Sequence, residues 1–122
     1  MPTALEHHDW ADFNARFYAH LGGDESSWQP WAMTALFYIA VHEIQSFLVQ
    51  HNLARKTHSE RLNALRKDSQ WATLAQHYDA LQQRSRDARY ECRVHSQADL
   101  AIAELALRQV RGEVARLRPS PP

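Results

Sequence analysis

Seven positions between Trp71 and Cys92 set the rhythm of the chain. Trp71, Leu74, Tyr78, Leu81, Ser85, Ala88 and Cys92 recur at alternating steps of three and four. That spacing keeps them on one face of an α-helix for three heptads and predicts the buried seam of a bundle. Leu100, Ala103, Leu107, Val110, Val114 and Leu117 repeat the rhythm. Between the stripes, Ser96 followed three residues later by Asp99 signals a helix start. Two long stripes joined by a short break predict an antiparallel helical pair.

Upstream, Thr3 with Glu6 opens a first helix that is expected to stop at Gly22-Gly23. "DESSWQP" then reads as a linker. A second helix is expected from about Trp28 or Trp31 to about Asn52. Its segment "WAMTALFYIAV" is apolar nearly all round, which predicts the central buried helix. Thr57 with Glu60 opens a short third helix, "THSERLNALRKD". Nothing reads convincingly as a strand. The expectation is an all-α, antiparallel bundle of four to five helices. It forms one domain over residues 1–118, with a disordered proline-rich tail at 119–122. Trp28, Trp31, Ile102, Leu105 and Ala106 exceed what one small bundle needs to cover, which hints at a second copy.

Composition agrees with this picture. Three glycines and five prolines in 122 residues leave room for long helices. The single cysteine, Cys92, rules out an intrachain disulfide and fits a reducing cytosol. The N-terminus has no signal-peptide pattern, and the apolar run from Trp31 to Val41 looks far shorter than a membrane crossing. A cytoplasmic protein away from membranes is therefore expected. Charge sums to zero but is unevenly placed. Residues 1–52 hold one arginine and six acids, whereas residues 53–122 hold thirteen basic residues and eight acids. A basic half can attract phosphate polyanions or dock on the acidic half of another copy.

Candidate chemistry centres on "RSRDARYECRVH", residues 84–95. On one unbroken helix, Arg89 and His95 would stand about 120° apart around the axis and about 9 Å apart along it. A break before Ser96 removes that obstacle. His95 would then lie beside a helix N-terminus, whose free N–H groups bind anions and whose field keeps an imidazole neutral. Arg89 would add a charged fork for phosphate. Such a pair could cleave RNA without metal: the histidine takes the 2′-hydroxyl proton and the arginine stabilises charge on phosphorus. The alternative is an ordinary solvated helix end, its arginines paired with Asp87 and Glu91.

Two stretches carry a family likeness. "WAMTALFYIAVHEIQSFLVQHNLARKTHSER" and "HYDALQQRSRDARYECRVHSQADLAIAELALRQV" resemble the apolar "FY-A-H" helix and the "Y-x-x-L … ARY" and final helices of the HEPN superfamily. The likeness spans about residues 10–118. It implies an HEPN-like bundle, commonly a homodimer, whose active members are metal-independent endoribonucleases of toxin–antitoxin or phage-defence systems. It assigns Arg89 and His95 as the catalytic pair, with Tyr90 where many active members carry Asn, Asp or His. Other members are non-catalytic interaction or nucleotide-binding domains, often beside a nucleotidyltransferase. A nucleotidyltransferase or antitoxin partner is thus expected as well.

Around this pair, Arg84, Arg86, Arg93, His58 and Tyr90 are candidates to hold RNA or a nucleotide. His42, Tyr38 and Tyr78 are candidates to support the cleft or to line a small-molecule pocket of their own. His42 also fits a core histidine bonded to a neighbouring helix, and His7 and His8 are expected to face solvent. No HExxH motif, cysteine pair or glycine-rich phosphate loop occurs, so neither metal nor cofactor is expected.

Overall fold

The computed structural model describes residues 2–20, 29–90 and 96–118. Five α-helices follow one another: α1 (Ala4–His20), α2 (Gln29–Gln50), α3 (His58–Arg66), α4 (Ala72–Tyr90) and α5 (Gln97–Arg116). A 3-10 turn, Ser69–Trp71, leads into α4, and no strand occurs among the described residues. The all-α bundle expected from the stripes is the fold. Gly22-Gly23, Trp28, Cys92 and the tail 119–122 lie outside the described residues.

The helix starts fall where short-range chemistry puts them. Thr3 and Glu6 exchange side-chain bonds with each other's backbone N–H, as a capping box requires. Thr57 Oγ1 accepts from the Glu60 N–H at the head of α3. Ser96 and Asp99 close the same box at the head of α5. Helix α2 ends two residues before the expected Asn52. Asn52 itself takes the left-handed conformation at φ 59°, one that asparagine tolerates better than most residues. The Leu53 N–H then reaches the Leu48 carbonyl at 2.8 Å and the Asn52 N–H reaches that of Val49 at 3.1 Å. This pairing terminates the helix and turns the chain back over α2.

Helix α2 is the centre: it touches α1, α3, α4 and α5. His7 meets His42 near the start of α1, whereas Ala15 and Tyr18 near its end share a cleft with Leu36 and Ile39, so α1 runs antiparallel to α2. Phe37 stacks on Tyr78 and Phe47 meets Trp71, so α4 also runs antiparallel to α2. Helix α5 returns along α4, with Arg84 reaching Asp99. The α4 stripe is buried at Trp71, Leu74, Tyr78, Leu81 and Ser85, and half-buried at Ala88. The α5 stripe is buried from Leu100 to Val114. Each buried aliphatic side chain of this kind contributes roughly 1.5–3 kcal/mol through lost contact with water.

Two expectations about apolar surface change. Ala106 is buried, so it is core rather than surplus, whereas Trp31, Ile102 and Leu105 are more than half exposed. Taken by length and composition, Trp31–Gln50 meets the requirements of a membrane span, with a mean hydropathy of 1.4. Its apolar surface is largely used internally, because 72% of that stretch is buried inside the fold.

Candidate functional site

The end of α4 carries the expected arginine in an unusual setting. Arg89 is half-buried beside a hollow of about 280 Å³ that it lines with Trp31, Thr34 and Ala88. Its guanidinium lies 5.8 Å from the centre of the Phe37 ring and 5.0 Å from that of Tyr90, within cation–π range. Arg89 Nε donates to the Ser85 carbonyl one turn back, at 3.3 Å. Among the described residues no carboxylate lies within 4 Å of it. Three neighbours share its side of the bundle. Trp31, Thr34 and Tyr38 follow one face of α2 by their spacing of three and four, and Tyr90 stands 68% exposed at the helix end.

The other predicted residues scatter. Arg84 is engaged by Asp99 at 3.6 Å, at the N-terminus of α5, so a structural ion pair occupies it. Arg86 is exposed on α4. Arg93 and His95 lie outside the described residues. His58 sits at the first position of α3 with its Nε2 3.4 Å from Asp79 Oδ1, and packs against Phe37 and Tyr78. Burial lowers its pKa, against an opposing pull from Asp79. Phe37 is the link between regions: it touches Arg89 on one side and His58 and Tyr78 on the other.

Tyr38, His42 and Tyr78, the candidates for a small-molecule pocket, are each engaged elsewhere. Tyr38 is 41% exposed and rests on Phe37. Tyr78 is fully buried, and its hydroxyl accepts a 2.7 Å hydrogen bond from Arg61 Nε. His42 turns instead to α1, where its Nδ1 lies 3.0 Å from His7 Nδ1. The inter-helix histidine bond matches the core reading of His42. It corrects the reading of His7, which is 9% exposed because α1 lays that face on α2. His8 remains half-exposed between Asp12 and Glu43.

Burial lowers the pKa of both His7 and His42, and the charge of Arg61 lowers each further. Arg61, on α3, is not among the expected site residues, yet it is buried, at 8% exposed. Its partner lies 17 residues away on another helix, so no local pattern marks it. A tyrosine on a bundle seam was the one available signal, since a buried hydroxyl requires a partner.

No group of three or more histidine, cysteine or acidic residues able to hold a metal occurs among the described residues. No protein-family model, curated protein or solved structure matches the chain.

Proposed function

We propose that this chain is an HEPN-like, metal-independent endoribonuclease that works as a cytoplasmic homodimer, with Arg89 and His95 as its reacting pair. The observation that carries the reading is Arg89: a guanidinium with no carboxylate within reach among the described residues, beside an apolar hollow at the end of α4. An arginine without an acid partner in a partly dry setting is suited to an anionic ligand, because its attraction is neither screened nor already spent. Helices α4 and α5 are separate and antiparallel, and Ser96 caps α5. This arrangement supports the bend that the reading requires.

In the proposed reaction, neutral His95 accepts the 2′-hydroxyl proton, and the resulting alkoxide attacks the adjacent phosphorus. Arg89 binds the charge that builds on the phosphoryl oxygens, and the 5′-oxygen leaves with a proton from the paired histidine of the second copy. The exposed Tyr90 offers a face on which a base stacks. Exposed Trp31, Ile102 and Leu105 supply apolar surface for dimer formation.

A second reading, a non-catalytic interaction domain beside a nucleotidyltransferase or antitoxin, is favoured by a different observation. Trp10, Phe13 and Phe17 form one aromatic face of α1, and all are about half exposed. Purified protein incubated with total RNA separates the two. The nuclease reading expects cleavage by the wild type and a loss of at least about a hundredfold in Arg89→Ala and His95→Ala, with unchanged melting temperatures. Cleavage that survives both substitutions, or that requires a divalent ion, rejects it.

A further inference from the structure

The largest hollow described lies away from Arg89, on the side of the fold where α1 begins. It has a volume of about 410 Å³ and is lined by Pro2, His7, Gln45, Ala54, Arg55 and Lys56. Gln45 stands eleven residues beyond Thr34 on α2, which places this basin about 16 Å along the helix from the Arg89 hollow. The turn at Asn52 makes it. By reversing the chain after α2, it lays residues 54–56 beside Gln45, whose Nε2 donates to the Arg55 carbonyl at 2.6 Å.

Three cations meet around this space. Arg55 and Lys56 line it, and Arg61 is tied to its wall by donating Nη1 to the Lys56 carbonyl at 3.3 Å. Among the described residues no carboxylate lies within 4 Å of any of the three. A buried guanidinium without a counter-ion is costly, and it leaves a positive potential in the cavity beside it. The acids nearby are otherwise engaged. Glu6, whose charge acts on His7, is held by the Thr3 N–H, and Glu43 lies 3.5 Å from His8 Nδ1.

The histidine pair adds one donor without adding a fixed charge. At 3.0 Å, one Nδ1 must donate while the other accepts, because two protons between them would clash. The accepting ring then carries its proton on Nε2, as a donor. Beside the same cavity, Gln45 Oε1 is buried with no hydrogen-bond partner, so an acceptor waits there as well.

We propose that this basin binds a small phosphomonoester, with the phosphate on Arg55, Lys56 and His7, whose tautomer His42 holds from behind, and a hydroxyl-bearing body turned toward Gln45. A dianion answers several uncompensated positive charges better than a carboxylate does, and a guanidinium fork matches phosphate oxygens. The volume falls within the range of about 300–1,000 Å³ usual for small-molecule sites. A phosphodiester within a polymer has one charge per phosphate, so a terminal phosphate, which can carry two, answers the three cations better. The proposal does not rest on the nuclease reading: loss or survival of RNA cleavage in Arg89 variants leaves it untouched.

The test follows the ring signals of His7 and His42 by NMR while ribose 5-phosphate, ribose or inorganic phosphate is added to the full chain. Sodium chloride at matched ionic strength serves as the control. Saturable shifts with ribose 5-phosphate at a Kd of about 1 mM or tighter are expected, with none from ribose. Arg55→Ala and Lys56→Ala should each weaken binding about tenfold, and Lys56→Arg should restore most of it. Both positions are accessible enough for the variants to fold, which melting curves verify. Shifts no larger than those from chloride overturn the proposal. So do variants that bind like the wild type, or an RNA lacking terminal phosphate that occupies the basin when the sugar phosphate does not.

Discussion

Arg61 and Arg89 each set a guanidinium against an aromatic side chain between α2 and α4, and neither has a carboxylate within 4 Å among the described residues. Arg61 is buried and locked, giving Nε to the Tyr78 hydroxyl and Nη1 to the Lys56 carbonyl. Arg89 is half-buried and, among the described residues, holds only a long bond to its own helix. The same residue type therefore serves two ends. One arginine is a fixed source of field, satisfied by neutral oxygens; the other keeps most of its donors for something that arrives. Charge without an acid partner is not enough to identify a ligand contact. What distinguishes the two is how many of the donors the fold has already used.

The largest effect should come from breaking the locked member. Arg61→Ala leaves the Tyr78 hydroxyl buried without its partner and opens a void, at an expected cost of about 2–4 kcal/mol. Arg89→Ala should cost less than about 1 kcal/mol. Urea denaturation of the two variants measures the gap, and equal costs would abolish the contrast.

Acidity should come next in effect. His7, His42 and His58 all have folded-state pKa values below the ordinary 6.5, mainly because they are buried. The unfolded chain thus binds more protons than the fold as pH drops, so stability is full above about 6.5 and falls as pH descends through the folded values. Melting temperature recorded from pH 8 to pH 5 should decline on that limb. Part of the decline should disappear in His7→Gln, whereas Arg89→Ala should keep it all.

The smallest effect belongs to Ser85, which holds Arg89 through its backbone. Its side-chain Oγ is fully buried and has no hydrogen-bond partner. Ser85→Ala removes an unsatisfied hydroxyl while keeping the carbonyl that Arg89 uses, so it should stabilise the fold by up to about 1 kcal/mol. A destabilised variant would mean that the hydroxyl serves some further contact.

Much of the architecture was legible because it is written in short-range terms. The stripe from Trp71 to Ser85 and that from Leu100 to Val114 repeat the helical period, and the three capping pairs lie within three residues of each other. Helix α2 announced itself by being apolar on every side. The polar clusters were harder to see. His7 is buried only because α1 folds across α2 and meets His42, 35 residues on. Arg61 sits in an exposed-looking segment, "THSERLNALRKD", and becomes interior only through Tyr78. Of the candidate residues, Arg89 lines a hollow at the end of α4, Arg84 is claimed by the cap of α5, and His95 lies outside the described residues. Tertiary partners decide such side chains, and periodicity carries no record of them.

Helix α1 rests on α2, but it reaches α5 only through side chains, Tyr18 to Glu104 and Asp12 to Arg111, across a cleft of about 300 Å³. It also leaves Trp10, Phe13 and Phe17 about half in water. With so little of its surface covered, this helix should be the first to detach, its amides exchanging with deuterium ahead of those in α2 and α4. Because His7 rides on it, detachment dismantles the phosphate basin, so an occupant there would hold the helix down and slow that exchange.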